Sequence, residues 1–187
     1  MVNILSHDVQ RIERLITDYS QMLKDEVALS KEKFKKFDIF PIIQSVVEDY
    51  NNLYQVKRGI KIYCKNDGNK NYNISGIENR IEQIIANLLD NAISFSEDNK
   101  NIEVKISKNV DRQVVINIID EGEGFKEKDT SKIFKRFYSN RPDKFGQHSG
   151  LGLNIVKNLV ELHRGYINAS NRHQKKGANI EIIFPKT

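Results

Sequence analysis

Asn87 and Asn91 stand four residues apart, so a helix through them would present both on one face. Each carboxamide can offer an oxygen to Mg²⁺ and an N–H to a phosphate. Mg²⁺ prefers hard oxygen ligands and keeps waters and nucleotide phosphates in its shell. Further along, Asp120 closes the apolar run Val114, Val115, Ile116, Ile118 and Ile119. A carboxylate at a buried strand end needs a hydrogen-bond donor, and the exocyclic amine of adenine would be one. Gly122 and Gly124 follow, and a residue without Cβ lets the backbone approach a flat ring. Gly146, Gly150 and Gly152 flank Ser149 at a helix start, where backbone N–H groups attract phosphate. In the run Ile133-Phe-Lys-Arg-Phe-Tyr138, Phe134 and Phe137 can act as anchors, and Arg136 and the nearby Arg141 can meet phosphates. Taken singly these signals are weak. An Asn pair is usually two solvated side chains, an Asp-Gly pair an ordinary turn, and a glycine-bearing stretch a flexible loop. Taken in this order between Asn87 and Leu153, they read as one adenine-nucleotide pocket.

The elements that must hold this pocket follow from periodicity. Ile77, Ile81, Ile84, Ile85, Leu88, Leu89 and Ala92 have helical spacing and predict a helix from about Ile77 to Phe95. Strands are predicted over 60–64, around 72–74, and over 102–107, 114–120 and 179–184. A helix over 151–163 would end at Gly165. Another, starting in the turn at Pro41 and running to about Gln55, would be broken by Gly59. The 122–150 stretch is long for a plain connection and suits a functional lid. The order is helix, strand, strand, helix, strand, strand, helix, strand, strand. With the helices on one face of a mixed sheet, that is a two-layer α/β sandwich.

Upstream, Leu5, Val9, Ile12, Ile16, Tyr19 and Leu23 are spaced 4, 3, 4, 3, 4, a bundle or coiled-coil seam on one long amphipathic helix over residues 2 to about 33. Such a stripe cannot be buried by the helix itself; it must pack on another copy of itself, on a partner helix outside this stretch or on the downstream domain, and a homodimeric bundle is preferred. The charged stretch 31–36 marks the boundary, giving domains 1–35 and 36–187.

Composition narrows the class. The chain has 187 residues, 39% hydrophobic and 29% charged, with net charge +5, normal for a soluble globular protein. Its lysines are scattered, without the basic stripe interleaved with aromatics that a nucleic-acid face needs. Cys64 is the single cysteine, which excludes an internal disulfide and reads as packing. No window approaches the 18 apolar residues of a membrane span.

The four segments, Asn87-Leu-Leu-Asp-Asn91-Ala, Asp120-Glu-Gly-Glu-Gly-Phe125, Ile133-Phe-Lys-Arg-Phe-Tyr138 and Gly146-Gln-His-Ser-Gly-Leu-Gly-Leu153, resemble the N, G1, F and G2 boxes of sensor histidine kinases, within the GHKL ATPase superfamily. The resemblance spans roughly residues 36–187. It implies the Bergerat fold with an ATP lid from Asp120 to Gly152, and the cofactors ATP and Mg²⁺. By position it implies that Asn87 and Asn91 are the metal and phosphate asparagines, with Asn91 catalytic. Phe95 takes the place of the aromatic that stacks on adenine, and Asp120 that of the acceptor for the adenine amine. Gly122 and Gly124 match the G1 glycines; Gly146, Ser149, Gly150, Leu151 and Gly152 match the phosphate loop; Arg136 and Arg141 match phosphate-binding positions. The sequence departs from the family at Ser94, where a lysine is common, and at Gln147-His148, where a second glycine is common.

Ser6-His7-Asp8 looks like the start of a phosphoacceptor box but lacks the proline that follows it in the family. One helix, where the family has two, separates His7 from the sandwich. Arg11-Ile-Glu-Arg-Leu-Ile-Thr-Asp18 looks like the second dimerisation helix. His148, His163 and His173 fit no such box. The expectation is a piece of a longer protein: an incomplete dimerisation hairpin plus the catalytic ATP-binding domain of a histidine kinase, unable to phosphorylate itself. It would pass the γ-phosphoryl group to a histidine elsewhere, for onward transfer to a response-regulator aspartate. Its partners would be that transient regulator and its own dimerisation domain in a homodimeric parent, with no nucleic acid and no membrane contact in this stretch. Its place would be the cytoplasmic part of a bacterial inner-membrane sensor. The pair of segments at His7 and Gly146 resembles ChvG/ExoS-type envelope sensors. The alternative is a GHKL conformational ATPase or a serine kinase acting on a protein partner.

Overall fold

The computed structural model describes residues 33–69, 71–126, 129–136, 138 and 150–187. The helix expected over residues 2–33, with His7, lies outside the described residues, as do Phe137, Arg141, Gly146, His148 and Ser149.

A short ribbon pairs β1 (Lys35–Asp38) with β3 (Asn73–Gly76) in antiparallel register, Phe37 opposite Ile74. The main sheet has five strands in the order β2 (Lys61–Asn66), β4 (Asn101–Lys108), β5 (Val114–Ile119), β7 (Ala178–Phe184), β6 (Tyr166–Asn171). β2 runs parallel to β4 and the other pairs are antiparallel. Side chains alternate across a pleated strand, so register divides the sheet into two faces. Ile62, Val104, Ile118, Ile180 and Ala169 are buried on one face, and so are Ile106, Ile116, Ile182 and Ile167. On the other face Lys65 and Lys105 lie 2.6 and 3.1 Å from the Glu103 carboxylate. One face is core and the other is solvated, as in a half-covered antiparallel sheet.

Three helices cover the apolar face: α1 (Phe40–Arg58), α2 (Glu78–Phe95) and α3 (Gly152–Leu162). α2 lies between the other two and over β5. Its stripe Ile81, Ile84, Ile85, Leu88, Leu89 and Ala92 is buried, at the spacing read from the sequence. α1 buries Ile43, Val46 and Val47 against β2, and α3 buries Val156, Leu159 and Val160 beside β6. The Asp38 carboxylate accepts from the N–H of Phe40 at 3.0 Å and of Tyr72 at 3.1 Å, tying the start of α1 to β3. Gly59, left-handed at φ 65°, ends α1.

His163 joins two helix ends. Its Nε2 accepts from the N–H of Ile77, just before α2, at 3.1 Å, and its Nδ1 donates to the Leu159 carbonyl at 2.7 Å. It is 2% exposed, and burial lowers its pKa, keeping the ring neutral.

Some local expectations need correcting. Lys35 and Lys36, expected in a charged junction, form β1. α1 reaches Arg58 rather than Gln55, and β3 is shifted to 73–76. Gly165 does not supply the left-handed turn after α3; Arg164 does, at φ 57°. Glycine is needed at 165 for space, because a Cβ there would lie 2.9 Å from the Ile183 carbonyl and 3.0 Å from Phe184. Cys64 is half-buried in β2, and burial pushes its thiol up to about 11.

Candidate functional site

Asp120 directly follows β5 and shares the parity of Ile116 and Ile118, so it projects from the helix-bearing face at the strand end. It is 5% exposed. Its Oδ1 accepts from the backbone N–H groups of Gly122 at 2.9 Å and Ala178 at 3.0 Å. Its Oδ2 has no hydrogen-bond partner among the described residues. Burial raises the Asp120 pKa above the ordinary 3.8; the N–H groups of Ala178 and Gly122 and the charge of Arg172 pull the other way without cancelling the rise. The result is a fixed carboxyl with one oxygen held by the protein and one facing a cleft.

That cleft measures about 1060 Å³ among the described residues, large enough for a nucleotide-sized ligand. Asn87, Asn91 and Phe95 line it from α2, beside Asp120, Gly122 and Gly124. Gly122 passes so close to the end of α2 that a Cβ would sit 2.4 Å from the Phe95 carbonyl. Ser94 also lines the cleft, but its hydroxyl turns back to the Asp90 carbonyl at 2.6 Å. Positive charge comes instead from Lys100, Lys126, Arg172, Lys175 and Lys176.

Gly150 and Gly152 also line the cleft. Gly150 is left-handed at φ 70°, and a Cβ on Gly152 would meet nothing within 4 Å among the described residues. Leu151 is 1% exposed and packs inward; its carbonyl accepts the first-turn N–H of Ile155 at 2.8 Å. A 3-10 turn, Thr130–Phe134, is fixed to the body. The Asp129 carboxylate caps it at Ser131, the Thr130 hydroxyl donates to the Ala169 carbonyl at 2.7 Å, and Ile133 and Phe134 are buried. Asn154 of α3 donates through Nδ2 to the Phe134 carbonyl at 3.0 Å. Arg136 is exposed and is not among the cleft residues.

The structure thus brings together Asn87, Asn91, Phe95, Asp120, Gly122, Gly124, Gly150 and Gly152, and leaves Leu151 and Arg136 off the wall. Sequence reasoning missed the turn joining β6 and β7. Asn171 clasps Phe125, accepting its N–H at 2.6 Å and donating to its carbonyl at 2.9 Å. Arg172 donates to the Asp120 carbonyl at 3.1 Å. Gly177 packs so tightly that a Cβ would overlap that same carbonyl at 2.1 Å. These residues lie far from Asp120 in sequence. The Lys175-Lys176-Gly177 turn signal was readable, but its place depends on β7 pairing with β5.

Among the described residues no three His, Cys, Asp or Glu side chains cluster as a metal site. A cation in this cleft would depend on the asparagine oxygens together with oxygens of its ligand. Paired carboxamides beside an uncrowded helix N-terminus suit a phosphate-bound divalent cation, and the free acceptor of Asp120 suits a base amine.

The chain is 35% identical over 183 residues to the sensor protein ChvG of Rhizobium meliloti (strain 1021), covering 95% of this chain and 32% of that protein. It is 33% identical over 183 residues to the ChvG of Agrobacterium fabrum, covering 95% and 31%. It therefore spans about a third of the length of these relatives. Histidine kinase ThkA, in a crystal structure with the response regulator TrrA, superposes with a TM-score of 0.72 at 25% identity, covering 100% of this chain and 50% of that one. Residues 76–187 match the family model described as histidine kinase-, DNA gyrase B- and HSP90-like ATPase, and by that match over more than half its length, the chain belongs to this ATPase family.

Proposed function

We propose that the chain is the ATP-binding catalytic portion of a sensor histidine kinase. One observation carries the reading: Asp120 keeps one carboxylate oxygen on two backbone N–H groups and leaves the other free inside the cleft that Asn87, Asn91 and Phe95 also line. The free oxygen accepts the adenine amine, Phe95 stacks on the ring, and Gly122 and Gly124 let the backbone pass beside it. Gly150 and Gly152 leave room for phosphates at the start of α3. Asn87 and Asn91 would hold Mg²⁺, which would supply charge neutralisation for the phosphates. Arg141, Gly146 and Ser149 are proposed to complete the phosphate end, and Arg136 to act from its margin. An acceptor imidazole nitrogen attacks the γ-phosphorus. A P–N bond forms as the bond to the bridging β,γ-oxygen breaks, ADP leaves, and the imidazole proton passes to a base beside the acceptor. This site supplies positioning and electrostatics rather than covalent chemistry.

Residues 1–35 are proposed as the second helix of a dimerisation hairpin and 36–187 as the catalytic domain of a homodimeric parent sensor. Among the described residues no helix is long and apolar enough to cross a membrane; the domain is proposed to work in the cytoplasm below the parent's membrane segments. The phosphoryl group would move on to a response-regulator aspartate, a reading favoured by the ThkA–TrrA complex.

The test is incubation with γ-labelled ATP and Mg²⁺, with and without a separately supplied dimerisation domain carrying an intact phosphoacceptor. Label on the added domain alone is expected. Label retained on this chain, and lost in His7→Ala, would overturn the assignment of residues 1–35. Steady hydrolysis with no histidine labelled would point to a conformational ATPase instead.

A further inference from the structure

Arg58 is the last residue of α1, and its main chain is stitched to the stretch that follows α2. Its carbonyl accepts from the N–H of Asn99 at 2.9 Å, and the N–H of Lys61 donates to the Lys100 carbonyl at 3.1 Å. Between these two bonds, Gly59 is so close to Asn99 that a Cβ would sit 2.1 Å from its Oδ1.

The side chain reaches further, to the end of α2 itself. Nη1 donates to the Ile93 carbonyl at 2.9 Å, Nη2 to the Ser96 carbonyl at 2.7 Å, and Nε to Asp98 Oδ1 at 2.7 Å. The last carbonyls of a helix lack their usual intrahelical partner; that of Ile93 also accepts the Ser96 N–H, at 3.3 Å. Here one planar cation takes a carbonyl on either side of Ser94 and Phe95. The fork is suited to this because its donors are fixed relative to one another, which a lysine cannot match. The side chain is only 17% exposed, whereas the carboxylate of Asp98 is 66% exposed. The screened ion pair therefore contributes little and the carbonyl contacts more. Gly122 in turn closes on the Phe95 carbonyl, where a Cβ would sit 2.4 Å away. The backbone carrying the Phe95 ring is thus held by contacts from both Arg58 and the glycine turn after Asp120, while Arg58 itself is not among the cleft residues.

We infer that Arg58 is a positioning residue for the base end of the nucleotide site, acting through Phe95 without touching the ligand. This rests on the reading of Phe95 as the wall against which the base stacks.

The test uses the full 187-residue chain and calorimetric titration with MgATP, MgADP and AMP, at a temperature where circular dichroism shows each variant folded. Arg58→Gln is expected to weaken all three ligands about tenfold and equally, because they share the base. Arg58→Lys should recover part of the loss. Asp98→Asn, which spares both carbonyl contacts, should change affinity less than about twofold. In a Phe95→Ala background, Arg58→Gln should add less than about twofold, the coupling expected of residues acting through one group. The inference is overturned if Arg58→Gln and Arg58→Lys both bind like the unaltered chain. It is equally overturned if Arg58→Gln still costs about tenfold after Phe95→Ala, or weakens MgATP while sparing AMP. Unchanged affinity in Phe95→Ala alone would remove the stacking reading itself, a separate failure from that of Arg58.

Discussion

The two ends proposed for the cleft, one for the base and one for the phosphates, are built on opposite terms. At the base end the protein crowds itself: a Cβ on Gly122, Gly124 or Gly177 would lie 2.4, 2.6 or 2.1 Å from a neighbouring oxygen. At the phosphate end a Cβ on Gly152 would meet nothing within 4 Å among the described residues. The first three glycines are demanded by the fold, and Gly152 is not. No contact among the described residues accounts for its lack of a side chain, which suits a ligand entering the cleft. Asp120 and Asn171 hold backbone groups, and the asparagines of α2 line the cleft half-buried.

The sharpest way to break this contrast is alanine substitution at both ends. Gly122→Ala should destabilise the chain by about 3 kcal/mol, since backbone at 2.4 Å must move. Chemical denaturation measures this, and a loss under about 1 kcal/mol would contradict the crowding. Next in size is Asp120→Asn, expected to weaken MgATP and AMP alike by about 100-fold, the worth of a buried hydrogen bond to a charged acceptor. Unequal losses would move Asp120 away from the base.

The same carboxyl predicts a pH dependence. Burial raises its folded pKa, so its ionised form is lost, on acidification, at a higher pH than for an ordinary aspartate. Nucleotide affinity should fall through that raised value, because only the carboxylate accepts without offering a proton. Its contribution to stability has the opposite sign. The folded state holds the proton longer, so this group favours folding below the unfolded value near 3.8 and loses that effect as pH rises through the folded value. An affinity profile still flat at the ordinary aspartate value near 3.8 would refute the reading.

His163→Leu should cost about 2 kcal/mol by orphaning the N–H of Ile77. With the lowered folded pKa, the contribution of His163 is complete above the unfolded value near 6.5 and is lost as pH falls toward the folded value. The variant should therefore lose that acid-side slope in a denaturation series. The smallest effect expected is Gly152→Ala: stability within about 0.5 kcal/mol of the unaltered chain, because nothing is displaced and alanine favours helix. MgATP affinity should drop all the same. A large stability loss there would erase the distinction between the two ends.

What could be read from the sequence follows the same division between local and non-local physics. α2, β5 and α3 were legible because periods of 3.6 and 2 in Ile, Val and Leu are strong and local. Asp120 stood out as a charge closing an apolar strand. β1 was not legible: two lysines in four residues look like a junction, and only pairing with β3 makes them a strand. β6 was counted in the order of elements but not placed, since Tyr166 to Asn171 has little apolar contrast. Asn171 and Arg172 reach the site through the β5–β7–β6 pairing, which no short window contains. The left-handed turn after α3 went to the glycine by preference, while steric demand from Ile183 had already fixed that glycine for another reason.

Cys64 gives the fold an experimental handle. Maleimides and related probes react with thiolate, and a half-buried thiol pushed up to about 11 offers almost none near neutral pH. As the chain has no other cysteine, one introduced at an exposed position such as Val110, 98% exposed at the far tip of the β4–β5 hairpin, should take a label while Cys64 stays silent. A fluorophore or spin label could then be attached at one defined position without first removing the native thiol.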